Sequence, residues 1–102
     1  MKIELLYFDG CPSWEGGLKN LEIALQEEGL TASVEMVKVT DDEAAMRLKF
    51  LGSPHFRVDG IDLWHEERDV YALSCRVYPT PNGMTGYPTI QMLKEKLHAA
   101  VG

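Results

Sequence analysis

Cysteine is scarce in this 102-residue chain: Cys11 and Cys75 are the only two, and no Cys-x-x-Cys pair occurs. That excludes a multi-disulfide scaffold and the usual spacing of a structural zinc site, and leaves redox, catalytic, soft-metal or simply structural thiols. Basic residues are also short, 10 against 16 acidic, for a net charge of −6. A polyanionic partner needs a concentrated Lys/Arg surface, so nucleic acid is not an expected ligand. No apolar run reaches the roughly 18 residues of a membrane span. The opening Met1-Lys2-Ile3-Glu4-Leu5-Leu6-Tyr7-Phe8 carries a glutamate and leads into Asp9-Gly10 rather than a small-residue cleavage site. A soluble, cytoplasmic chain without a membrane partner is expected. Repeats, low-complexity tracts and linkers are missing too, and the length suits one domain over residues 1–102.

What is present reads as an α/β order. Residues 2–8 form a nearly unbroken apolar run, as in a central strand covered on both faces. From Pro12 to about Glu28, Trp14, Leu18, Leu21, Ala24 and Leu25 recur at helical spacing, with Pro12 suited to the first turn, Gly16 and Gly17 weakening the start and Gly29 closing the end. Residues 33–39, with β-branched Val34, Val37 and Val39, predict a second strand. Thr40-Asp41-Asp42-Glu43 reads as a capping box with Thr40 as the cap, opening a helix to about Leu51. His55 to Trp64 alternates about Asp59-Gly60, a hairpin signal. Residues 65–86, with Pro79, Pro81, Gly83 and Gly86, read as a long excursion, and such loops are often functional. Pro88 then opens a helix with Ile90, Leu93 and Leu97 on one face. The predicted order β-α-β-α-β-β-α gives a four-stranded mixed sheet flanked by helices, with a right-handed parallel crossover first.

Cys11 lies between a strand end and a helix start, where unpaired N–H groups and the helix dipole favour thiolate, against the opposing charges of Asp9 and Glu15. A buried cysteine acting as a small hydrophobe is the competing reading.

Four motifs in order, Gly10-Cys11-Pro12, Gly52-Ser53-Pro54, Cys75-Arg76-Val77-Tyr78 and Gly83-Met84-Thr85-Gly86-Tyr87-Pro88, resemble a group of small bacterial proteins of the thioredoxin-like superfamily. The resemblance covers almost the whole chain. It implies a thiol–disulfide oxidoreductase-like activity without a cofactor, in which Cys11 matches the nucleophilic cysteine and Pro54, preceded by Ser53, matches a cis-proline that shapes the substrate groove. Trp14 stands where that superfamily carries its second cysteine, so the usual dithiol cannot form at residues 11–14. Cys75 is then the candidate resolving cysteine, if the loop carrying it reaches Cys11 to within a Cα separation of roughly 4.4–6.8 Å. Arg76 beside it would favour a thiolate, while a buried structural cysteine is the plainer alternative.

Around these thiols, Trp14 is a candidate substrate surface or a packing residue. His55, next to Pro54, is a candidate substrate-binding residue and base near Cys11, or else a half-exposed strand residue. Expected partners are protein or small-molecule thiols and disulfides. Two other classes stay open: a catalytically inactive thioredoxin-fold protein-binding module, and a monothiol that binds a soft metal or glutathione. Against the latter, Asp9 and Gly10 stand where such monothiol proteins carry a basic residue. The acidic cluster at Asp41, Asp42 and Glu43 reads as helix-start electrostatics, and His98 as a dipole-compensating surface residue.

Overall fold

A computed structural model describes residues 1–101. β1 (Ile3–Tyr7) sits inside a four-stranded sheet because both of its faces are apolar: Ile3 and Leu5 join one core cluster, Leu6 the other. It pairs in parallel with β2 (Val34–Lys38) and antiparallel with β3 (His55–Val58), which pairs with β4 (Ile61–Asp62), for the order β2-β1-β3-β4. The strand alternation of β3 sends Phe56 and Val58 to the first face and His55 and Arg57 to the other. On the first face lie α1 (Trp14–Glu27) and α3 (Ile90–Val101), packed on each other through Leu21, Leu25, Leu93 and Leu97. The second face is covered by α2 (Asp42–Leu48), through Ala44 and Ala45 against Leu6, Val39 and Phe50.

Several local expectations shift. α1 starts at Trp14, after a Pro12-Ser13 turn, so Pro12 precedes the helix. Its two glycines have a packing reason: a Cβ at Gly17 would meet Pro54 at 3.0 Å, and one at Gly16 would meet the Tyr87 ring at 2.6 Å. Asp41, not Thr40, caps α2, accepting from the Ala44 N–H at 2.8 Å. α2 stops at Leu48 rather than Leu51, because Lys49 turns left-handed (φ 54°) and the Phe50 N–H closes back on Ala45 O as Phe50 enters the core. The β3-β4 turn has φ of 52° at Asp59 and 85° at Gly60, the pair of positive values that an Asp-Gly hairpin uses.

Residues 65–86 are not all loop. They contain an antiparallel ribbon, β5 (Tyr78–Thr80) with β6 (Gly83–Thr85), turned by Pro81-Asn82 with Gly83 at φ 102°. Pro79 and Pro81 read as breakers in sequence, but a two-stranded ribbon leaves outward N–H positions where proline costs no ladder bond. Among the described residues no helix is long and apolar enough to cross a membrane.

Candidate functional site

The end of β1 delivers Cys11 through the Phe8-to-Cys11 turn, closed by Cys11 N–H to Phe8 O at 3.1 Å. Its side chain runs inward: Cys11 is 2% exposed, and Sγ donates to the carbonyl of Ser53 at 3.4 Å. The Ser53–Pro54 peptide bond is cis. Pro54 is buried beneath α1, and its carbonyl accepts from the buried Tyr78 hydroxyl at 2.5 Å. Burial pushes the Tyr78 hydroxyl far above its ordinary range, so it serves here as a donor.

The segment Ser74-Cys75-Arg76 lies along the edge of Ser53. Ser53 N–H donates to Ser74 O at 2.8 Å, Arg76 N–H donates to Ser53 O at 3.0 Å, and the contact has parallel register. Gly52 makes this approach feasible. At φ 116° it adopts a conformation L side chains avoid, and a Cβ there would lie 2.9 Å from Arg76 Cβ and 3.1 Å from Arg76 backbone atoms. Two sequence motifs, Gly52-Ser53-Pro54 and Cys75-Arg76, are therefore one contact in the fold.

That contact brings the two thiols together. Both are free, and Cys75 lies near enough to Cys11 for each to feel the other's charge. Local desolvation first, then the neighbouring Cys11 sulfur, hold the Cys75 thiol above its ordinary range. Arg76 does not offset this. Its guanidinium turns away, to Asp62 Oδ2 at 2.7 Å and to Trp64 O, and stacks 5.2 Å from the Tyr78 ring centroid.

Sequence reasoning missed Asp62, which holds this arrangement. Its carboxylate accepts from Arg76, from His55 Nε2 at 2.8 Å and from the Trp64 N–H at 2.5 Å. Burial alone would raise its pKa, but His55 and the fixed charge of Arg76 outweigh burial and hold it below the ordinary carboxylate range. His55 is not half-exposed but 1% exposed, stacked on Phe50 at 5.9 Å. Its Nδ1 accepts the Leu51 N–H at 3.0 Å, which places the ring proton on Nε2, facing Asp62. Arg57 Nε, 3.2 Å from the same nitrogen, meets a donor there and is anchored instead on Leu48 O. Burial lowers the His55 pKa more than Asp62 raises it. The imidazole is a neutral structural link on the α2 face, with both nitrogens engaged away from the thiols. A cleft of about 260 Å³ opens over it, lined by Lys49, Arg57 and Asp62 among others and by neither cysteine.

Trp14 is half-buried against Tyr7, ring centroids 4.5 Å apart, and packs on the first core. Ser53 is fully buried, and its Oγ lacks a partner. Among the described residues no group of three or more metal-ligating side chains occurs. Searches against family models, curated proteins and solved structures returned no match for this chain.

Proposed function

We propose that this chain is a thioredoxin-like thiol–disulfide exchange protein whose redox pair is Cys11 and Cys75. The observation that carries the reading is that two cysteines far apart in sequence converge on one residue at a cis Ser53–Pro54 bond: Cys11 Sγ donates to Ser53 O, and Cys75 pairs alongside Ser53. The topology supports it: a thioredoxin-like domain needs a parallel β1-α1-β2 unit, an antiparallel β3-β4 edge and a last helix returning to α1. In this reading Trp14 costs the domain its second cysteine at the helix start, and the excursion after β4 supplies another from outside. The pair cycles between two thiols and one disulfide, passing two electrons to or from a partner thiol or disulfide.

The test is intact mass with peptide mapping after oxidation and reduction of the whole chain. Loss of two hydrogens with a linked Cys11–Cys75 peptide is the expected result. Two thiols that stay free in excess oxidised glutathione would refute exchange and leave a binding module.

A further inference from the structure

Building on the dithiol reading, we propose that Cys75 rather than Cys11 meets the substrate, that this substrate is a low-molecular-weight disulfide, and that Cys11 resolves the resulting mixed disulfide. The expected order of the two cysteines is thereby inverted, and the reason is access. A thiolate must approach a disulfide along its S–S axis, which requires an open path to the attacking sulfur. Cys11 is 2% exposed, with its sulfur turned inward onto Ser53 O, whereas Cys75 is exposed. An incoming disulfide therefore encounters Cys75 first.

The same contacts define the size of the substrate. An extended peptide bound beside a strand needs free N–H and C=O groups along that edge. At Ser53 both are already spent, the N–H on Ser74 O and the carbonyl on Arg76 N–H and Cys11 Sγ. Gly52 holds the Arg76 backbone too closely for another strand to enter between them. The chain's own residues 74–76 fill the place of an extended polypeptide, and what remains accessible is one sulfur open to a small molecule.

The chemistry balances with the disulfide, RSSR, as oxidant. Cys75 gives up its proton and the thiolate attacks one sulfur, forming the Cys75–SR bond as the first RS⁻ leaves and takes up that proton by way of solvent. Cys11 then attacks Cys75 Sγ, forming the Cys11–Cys75 bond and expelling the second RS⁻, which takes up the Cys11 proton. RSSR gains two electrons and becomes two RSH, and the protein dithiol loses two. In the reverse direction an external thiolate attacks the exposed Cys75 sulfur and Cys11 departs.

Cys11→Ser and Cys75→Ser variants of the full chain, treated with the uncharged hydroxyethyl disulfide and followed by intact mass, test this order. Serine keeps nearly the same volume at each site, and alanine at both positions serves as a second pair of variants. Cys11→Ser should accumulate a stable Cys75 adduct at an initial rate no lower than the wild type's, since losing the Cys11 sulfur removes one cause that holds the Cys75 thiol protonated. Cys75→Ser should react at least about tenfold more slowly, since a buried thiol is reached only through local opening. Equal or faster labelling of Cys75→Ser would overturn the order while leaving dithiol exchange intact. A disulfide-linked extended peptide that oxidises the wild-type protein as fast as hydroxyethyl disulfide would overturn the substrate class. If the wild-type chain never links Cys11 to Cys75 with either oxidant, the exchange reading itself fails, and the order with it.

Discussion

Replacing Asp62 with alanine should be among the most damaging single changes in this protein, and its cost follows from what the carboxylate holds. The Asp62 and Arg76 side chains are only 3% and 7% exposed. An ion pair on the surface would contribute at most about 1 kcal/mol. Here the variant leaves the buried guanidinium with only the exposed Glu66 carboxylate, 3.9 Å away, as counter-charge, a loss of about 3–5 kcal/mol. The His55 Nε2 proton and the Trp64 N–H also lose their acceptor. We expect a fall of about 4 kcal/mol in unfolding free energy, a large part of the 5–15 kcal/mol typical of a natural domain. Asp62→Asn keeps the volume and one acceptor oxygen and should lose about half as much. Joint replacement of Asp62 by leucine and Arg76 by methionine removes both charges and should recover much of the loss, because no lone ion stays buried. Urea unfolding with linear extrapolation measures all three. A loss below about 1 kcal/mol for Asp62→Ala would refute the picture, since it would mean that Arg76 finds water when Asp62 is gone.

Other outcomes follow from the same geometry. Burial lowers the His55 pKa in the folded protein, so on acidification the unfolded chain takes up this proton first. Stability is intact above the ordinary histidine value of 6.5 and falls by up to about 1.4 kcal/mol per pH unit as pH drops from there toward the folded value. Asp62, whose folded pKa is depressed, adds stability present above 3.8 and lost as pH falls through its folded value. Urea midpoints across the mildly acidic range should show the first decline, and His55→Gln should flatten it; a wild-type profile already flat there would contradict the burial. Gly52→Ala should push Arg76 off Ser53 and lower the fraction of Cys11–Cys75 disulfide at fixed glutathione potential, read by mass, and an unchanged fraction would show that the Ser53 contact does not position Cys75. The alkylation rate of Cys75 should keep rising with pH beyond the ordinary thiol range, and Cys11→Ala should move its midpoint down only in part, because desolvation is the larger cause. A plateau at an ordinary thiol midpoint in the wild-type protein would be the contrary result.

What the sequence determined by itself was set by neighbours along the chain. An apolar run placed β1, β-branched valines placed β2, helical spacing placed α1 and α3, and Asp59-Gly60 placed the β3-β4 turn, since each depends on local backbone preference and on which faces are apolar. Element ends were less legible: Thr40 read as the cap of α2, and only the structure moved the cap one residue on to Asp41. The β5-β6 ribbon was hidden by its prolines, because strands of three residues carry too little periodicity to outweigh breakers. At the site, Cys11, Ser53, Pro54 and Cys75 stood out by residue type and motif, yet nothing in the sequence linked Gly52 to Arg76 or Asp62 to His55. The Gly52–Arg76 contact joins distant segments and the His55–Asp62 pair spans the β3-β4 hairpin, and in both the partners are chosen by which side chains the fold buries together. Burial also reassigned His55 from a neighbour of the thiol to a neutral link in the core, and placed Cys11 beneath Cys75. The cysteines were visible in the sequence, but which of them faces the solvent was decided by the tertiary structure, since access to a sulfur depends on what packs over it.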